Sequence, residues 1–173
     1  MDLKKLIRDV PNFPKEGIIF KDITTLLKIP DGLSNAAEEL FNLSKNNKIT
    51  KVAGIESRGF ILGGLLAEKL NAGFVPIRKP GKLPAETLSE SYTLEYGMDS
   101  IQIHKDAIQK GDRVLLHDDL LATGGTMEAA CKLIEKLGGE VVQISFIIEL
   151  NFLHGRDKLS KYDIHSLIQY DSE

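Results

Sequence analysis

The sequence predicts an α/β protein: a mostly parallel central sheet flanked by helices. Two stretches carry that prediction. The first is Val114-Leu115-Leu116-His117-Asp118-Asp119-Leu120-Leu121-Ala122-Thr123-Gly124-Gly125-Thr126, an apolar run, two adjacent carboxylates, then a small loop rich in glycine and hydroxyls. Behind it Met127, Ala130, Cys131 and Ile134 recur at helical spacing, so the unit reads as strand, loop, helix. The second is Lys51-Val52-Ala53-Gly54-Ile55, a strand, with Glu56-Ser57-Arg58-Gly59 as its loop and 60–67 as a helix. Strands alternating with helices, each connection a crossover, give a parallel-rich sheet. Such sheets bind ligands at the carboxyl ends of their strands.

From the N-terminus, residues 2–10 read as a short helix, broken by Pro11-Asn12-Phe13-Pro14-Lys15-Glu16-Gly17. Ile18-Ile19-Phe20 is a brief extended run, and Asp22-Ile23-Thr24-Thr25-Leu26-Leu27 a helical turn. On its residues alone this arm is a partly buried flap whose Ile19 and Phe20 pack on the core. Leu33, Ala36, Ala37, Leu40 and Phe41 follow the period of an amphipathic helix. Ile29-Pro30 before it lacks a capping Asp. Residues 60–67 are apolar on all sides, as a buried helix would be, with Gly63-Gly64 permitting close approach of another element. Phe74-Val75-Pro76-Ile77 is a third strand. The polar excursion 78–97 holds two prolines and two glycines, and a segment that long is a functional lid or disordered; we read it as a lid. Residues 99–107 return as a strand. Gly138-Gly139 end the motif helix, and 141–150 and 164–170 are the last strands.

Composition narrows the classes. A chain of 173 residues is one domain by the usual prior and long enough for a real core. Apolar content of 42% with 27% charged is that of a soluble globular protein. A net charge of −3 with scattered bases argues against nucleic acid as the main partner. The longest nearly uncharged stretch, 59–67, is too short for a bilayer. The charged N-terminus has no apolar core of a secretory leader, so none is expected. Cys131 stands alone, which fits a reducing cytoplasm, and its expected role is core packing. His104, His117, His154 and His165 show no ligand spacing, so no structural zinc is expected.

The chemistry of the first loop is specific. Gly124 and Gly125 let the backbone approach a phosphate closely, and Thr123 and Thr126 add hydroxyl donors. With no lysine, this is neither the nucleoside-triphosphate loop GxxxxGK[ST] nor GxGxxG. Asp118-Asp119 alone would read as a turn or a helix cap. Placed before such a loop, the pair points to a ligand with hydroxyls on one side and a phosphate on the other, the layout of a ribose 5-phosphate. Arg58, at the second loop, offers a planar fork for two oxygens. Arg78, Lys79 and Lys82 read unaided as a solvated cluster, and Glu95 as a solvated loop acid.

The run Asp118-Asp119-Leu120-Leu121-Ala122-Thr123-Gly124-Gly125-Thr126 resembles the phosphoribosyl pyrophosphate (PRPP) loop of type I phosphoribosyltransferases, in the form typical of adenine phosphoribosyltransferases. The resemblance continues through Gly17-Ile18-Ile19-Phe20-Lys21-Asp22-Ile23-Thr24, Glu56-Ser57-Arg58-Gly59-Phe60, Arg78-Lys79-Pro80-Gly81-Lys82-Leu83-Pro84 and Leu94-Glu95-Tyr96-Gly97, in the family's order over nearly the whole chain. It implies the type I phosphoribosyltransferase fold as one domain, 1–173, with a small N-terminal hood at about 1–28 and a flexible lid loop at about 78–98. The implied reaction moves the 5-phosphoribosyl group of PRPP to N9 of adenine, giving AMP and pyrophosphate, a purine-salvage step. Mg²⁺ is expected, bound mainly through PRPP and pyrophosphate, with no metal site made by protein alone. A cytoplasmic homodimer is expected, with neither nucleic acid nor membrane as partner.

The resemblance also implies roles. Asp118 and Asp119 hold the ribose hydroxyls and Mg²⁺-bound water, and Ala122, Thr123, Gly124, Gly125 and Thr126 take the 5-phosphate. Arg58, Arg78, Lys79 and Lys82 meet the pyrophosphate. Ile19, Phe20 and Lys21 bind adenine, Phe20 against the base and backbone groups of the others on its edge. Glu95 is the acid or base near the purine imidazole, brought in with Tyr96 by the lid; with Arg58 it makes up the catalytic pair. Besides the capping Asp missing at Ile29-Pro30, two departures from the family's pattern stand out. His117 replaces an aliphatic residue, and reads as a satisfied imidazole in the pleat or, second, as a group that tunes Asp118. Lys21 replaces an arginine, placing an ammonium where it could loosen base choice, though adenine is still expected. A 6-oxopurine or orotate enzyme, or a non-catalytic PRPP-binding regulator, would share the fold.

Overall fold

Five strands pair in parallel in the order Gly73–Ile77, Lys51–Ile55, Arg113–Leu121, Glu140–Leu150 and Ile164–Tyr170, so the strand carrying the two carboxylates is the middle one. The computed structural model describes residues 1–94 and 97–172. A 3-10 turn at Leu3–Leu6 leads into β1 (Arg8–Pro11), which pairs antiparallel with β2 (Ile19–Asp22). The short α1 (Thr24–Leu27) and α2 (Pro30–Ser44) follow, then β3 (Lys51–Ile55), α3 (Gly59–Lys69) and β4 (Gly73–Ile77). β5 (Thr87–Thr93) and β6 (Met98–His104) form a separate antiparallel ribbon. The chain returns through β7 (Arg113–Leu121), α4 (Gly125–Lys136) and β8 (Glu140–Leu150), makes 3-10 turns at Asn151–Leu153 and Gly155–Leu159, and ends on β9 (Ile164–Tyr170).

Alternation along β7 explains how one sheet serves two cores. Val114 and Leu116 join Ala130, Leu133 and Ile134 of α4 on one face. Leu115 joins Ala36 and Leu40 of α2 and Leu62 and Leu66 of α3 on the other. Strands buried on both faces read as continuous apolar runs, as 114–116 and 146–148 do. α2 starts at Pro30 with no side-chain cap, consistent with the missing Asp; Pro30 suits the first helical position and Asp31 opposes the dipole there. Among the described residues no helix is long and apolar enough to cross a membrane.

Four expectations are corrected. Residues 2–10 are not a helix: the turn stops at Leu6 and the chain goes extended. A single turn cannot sustain itself, whereas pairing with β2 satisfies the backbone and sets Arg8 opposite Asp22. The expected lid loop at about 78–98 is not loop throughout: Thr87–Thr93 pair with Met98–His104 as the β5–β6 ribbon, in register from Thr87↔His104 to Thr93↔Met98. Its alternation buries Tyr92, Ile101 and Ile103 in the same core as α4. The connections are therefore not all crossovers, since β1–β2 and β5–β6 are antiparallel. Finally, α3 is not buried all round. It packs on β3, β7, β4 and α2, and leaves Ile61 and Leu65 exposed, as Phe74 of the edge strand is. Gly63 does permit the close approach expected of it, since a Cβ there would meet the Phe74 ring at 3.1 Å; Gly64 faces open space.

α4 ends as Gly138-Gly139 foretold. Gly138 sits at φ +93°, its N–H donates to the Glu135 carbonyl at 3.0 Å, and that of Gly139 to the Ile134 carbonyl at 3.1 Å. An L-residue in this conformation costs about 1–2 kcal/mol. Gly138→Ala should lower the unfolding free energy by about 1–2 kcal/mol, read as a lower urea midpoint with an unchanged slope of the transition.

Candidate active site

β7 does not end at the carboxylates. It runs on to Leu121, so Asp118 and Asp119 are strand residues that point to opposite sides, not a turn. Residues 122–124 then turn the chain, and α4 begins at Gly125. Gly124 is left-handed at φ +83°, and no side chain caps the helix. The first N–H groups of a helix lack partners within it. Here they border a cleft of ≈ 90 Å³ lined by Asp118, Ala122, Thr123, Gly124, Gly125 and Thr126. Backbone donors, two hydroxyls and a positive helix end are the chemistry that suits an anion.

The β3–α3 loop faces it. Arg58 donates from Nε to Asp119 Oδ2, which engages one nitrogen of its fork, and its guanidinium carbon lies 5.4 Å from the centroid of the Phe20 ring. Asp118 Oδ1 accepts from the Asp119 N–H at 2.8 Å. Burial, with the Asp119 charge beside it, pushes the Asp118 carboxyl well above the usual range. Gly59, the first residue of α3, packs directly on this carboxylate: a Cβ there would sit 3.0 Å from Asp118 Oδ1 and from the His117 carbonyl oxygen.

His117 is fully buried. Its Nδ1 lies 2.9 Å from Ser145 Oγ, its parallel neighbour in register on β8. Nε2 has no partner among the described residues, so the imidazole is half satisfied rather than fully. Burial pushes it down to about 4, against a weaker opposing pull from Asp119. It is neutral near pH 7 and brings no charge to Asp118.

The hood hairpin builds a second cavity, ≈ 340 Å³, lined by Val10, Phe13, Phe20, Asp22 and Arg58. The register Val10↔Phe20 and Arg8↔Asp22 puts these side chains on one face of the hairpin. Phe13 meets Phe20 edge to face at 5.2 Å. Ile19 is partly buried. Asp22 is fixed by the Thr24 N–H at 2.8 Å, by Arg8 at 2.5 Å and by the Thr24 hydroxyl at 2.8 Å. These bonds, the Thr24 N–H foremost, hold its carboxyl down at about 2. Asp9 and Lys21 pair on the opposite face. The concern that the Lys21 ammonium sits at the base edge is thereby corrected: it bonds Asp9 Oδ1 at 2.9 Å and lies 4.3 Å from the Tyr170 ring centroid, away from the cavity.

The basic trio is not a solvated cluster. Arg78 Nε and the Lys79 N–H both donate to Glu56 Oε2 at 2.9 Å. The Lys79 ammonium bonds Asp99 and the Tyr92 hydroxyl, while Lys82 is exposed. The expected lid residues Glu95 and Tyr96 lie outside the described residues. Among the described residues no group of three or more His, Cys, Asp or Glu side chains is placed to hold a metal ion.

A family model described as phosphoribosyl transferase domain matches residues 21–171. The chain belongs to the phosphoribosyltransferase family. It is 58% identical over 170 residues to the adenine phosphoribosyltransferase of Christiangramia forsetii, covering 98% of this chain and 99% of that one. The crystal structure of adenine phosphoribosyltransferase from Thermoanaerobacter pseudethanolicus superposes with a TM-score of 0.95 at 54% identity, covering 98% of each chain. That from Giardia lamblia, complexed with 9-deazaadenine, gives 0.93 at 41% identity, with 99% and 97% covered. The type I phosphoribosyltransferase fold is the fold found here.

In this member of the family several residues around the site carry no local sequence signal. Glu56, Asp99 and Tyr92 engage the basic residues from distant elements, and Gly59 matters only because Asp118 lies across from it. Gly155 abuts the anion loop, as a Cβ at Gly124 would lie 2.6 Å from the Gly155 carbonyl oxygen. One consequence of His117 is measurable. The unfolded chain protonates a histidine near 6.5, which the folded chain resists until about 4, so stability is lost as pH falls through that window. Denaturant midpoints of parent and His117→Val, compared between about pH 7 and about pH 4.5, should fall less steeply for the variant; equal slopes would contradict a neutral buried imidazole.

Proposed function

We propose that this chain transfers the 5-phosphoribosyl group of PRPP to N9 of adenine, forming AMP and pyrophosphate. The observation that carries this reading is the joining of an anion cradle at residues 122–126 to an aromatic cavity under the hood, with Arg58 bordering the cavity and bonded to Asp119. A phosphate at one end, ribose hydroxyls at the carboxylates and a flat base on Phe20 fit that layout in order.

The bond from C1 of the ribose to the pyrophosphate oxygen breaks as the bond to N9 forms, and the N9 proton leaves. Ala122, Thr123, Gly124, Gly125 and Thr126 hold the 5-phosphate, while Asp118 and Asp119 take the ribose hydroxyls. Arg58, Arg78, Lys79 and Lys82 meet the growing negative charge of the leaving pyrophosphate, electrostatic stabilisation being the main demand of this transition state. Phe20, with backbone groups of Ile19 and Lys21, aligns the base. Glu95, with Tyr96 beside it, is our candidate for the proton at the purine imidazole. Mg²⁺ supplies charge neutralisation on the pyrophosphate. An Asp pair with Asp119 already matched by Arg58 suits an ion held mostly by substrate oxygens and water.

We further read 1–173 as a single catalytic domain that acts as a homodimer in the cytoplasm. The exposed apolar flank of Ile61, Leu65 and Phe74 supports the dimer. The lone Cys131, with no second cysteine to pair with, supports the compartment.

Two assays test the reading. Offered PRPP and Mg²⁺ with adenine, hypoxanthine or guanine separately, the protein should form a nucleotide from adenine alone, because Lys21 is turned out of the base cavity; turnover of an oxopurine would reassign the base, and PRPP binding without turnover would favour a regulator. Asp119→Asn removes a charge-assisted bond worth roughly 1.5–3 kcal/mol, so kcat/KM should drop about ten- to a hundredfold.

A further inference from the structure

Beyond β8 the chain does something the reaction as read above does not use. It turns through Asn151–Leu153, passes His154 in the left-handed region at φ +54°, and returns as Gly155–Leu159 against the back of the anion loop. The contact is main chain on main chain. A Cβ at Gly155 would clash with the Ala122 carbonyl oxygen and lie 2.9 Å from Leu121 Cδ1, while a Cβ at Gly124 would reach the Gly155 carbonyl oxygen at 2.6 Å. Neither segment can move toward the other, and neither position accepts a side chain.

What holds the returning segment there is a buried charge. Arg156 grips Glu149 with both arms of its fork, Nε to Oε1 at 2.5 Å and Nη2 to Oε2 at 2.8 Å, and Ser166 Oγ donates to Oε2 at 2.6 Å. The third guanidinium nitrogen, Nη1, donates to the Ile164 carbonyl oxygen at 3.2 Å. The Glu149 side chain is only 3% exposed. Its register partner on β7 is Leu121, the residue from which the anion loop departs. The anchor therefore stands beside the root of the loop, and the fork fixes Arg156 in direction as well as distance. A buried ion pair is no better for stability than well-packed apolar residues of similar volume. Its use here is geometric.

We propose that Gly155 and Arg156, anchored by Glu149, are positioning residues that hold residues 122–124 in the shape that receives a phosphate monoester. None of the three touches the ligand; they act through the loop. The inference rests on reading residues 122–126 as the 5-phosphate cradle.

The test is PRPP binding by calorimetry in the presence of Mg²⁺, together with separate KM values for PRPP and adenine, in the parent, Gly155→Ala and Arg156→Lys. Lysine keeps the charge and loses the fork. Gly138→Ala, which lowers stability away from the loop, is the control for a merely structural effect. Both loop-side variants should weaken PRPP binding about ten- to a hundredfold, the scale of a misplaced binding group, with KM for adenine unchanged and the Gly138→Ala control binding PRPP like the parent. Unaltered PRPP binding in both, a parallel rise in both KM values, or equal weakening in the control would overturn the proposal. If Gly155→Ala does not fold, Arg156→Lys decides alone. A parent that fails to bind PRPP would overturn the cradle reading itself, whereas a parent that binds beside unaffected variants would overturn only this inference.

Discussion

The ion pair between Arg58 and Asp119 is the joint on which the site depends. Arg58 immediately precedes α3 and Asp119 lies near the end of β7. They meet because β3 and β7 are parallel neighbours whose carboxyl ends open on the same side. Asp119 is buried, and a buried charge needs a partner. The guanidinium supplies one and, through the Phe20 ring, ties the hood to the sheet. One side chain thus joins three segments far apart in sequence, and removing either partner strands the other's charge in a half-buried place.

Around that joint the backbones come closer than side chains would allow. Gly59 admits the Asp118 carboxylate, and Gly124 admits the turn after β8. The two floors of the site, one under the ribose acids and one under the anion loop, are made of main chain. This gives each a fixed shape set by packing from behind, with little freedom to adapt.

How much of this was legible in the sequence follows from how local each feature is. The cradle was readable because its strand, carboxylates, glycines and hydroxyls are consecutive, and so were the core strands and the end of α4. The hood's function came from resemblance to a family; its residues alone gave only a flap. The β5–β6 ribbon was hidden because polar alternation such as Ser89, Glu90 and Ser91 resembles a loop when the partner strand is unknown. The roles of Gly155, Glu149 and Arg156 depend on contacts made after the whole sheet is in place. The direction of Lys21 was hidden for the same reason: a register of strand pairing decides it, and a single residue type does not encode register.

The clamp on Lys21 bears on how the protein is made. Lys4 and Lys21, near the start of the chain, both lie 4.3 Å from the ring of Tyr170, at the end of β9, and Lys4 also donates to the Gln169 carbonyl oxygen at 2.7 Å. The Phe20 cavity is on the other face of that same hairpin. During synthesis its first residues leave the ribosome early, and the support that Tyr170 gives them forms only when the last strand does. A nascent chain cut short before residue 170 would have Arg58 against Phe20 but no ring beneath Lys4 and Lys21, so ribosomal stalling late in the message would leave the hairpin held on one face alone.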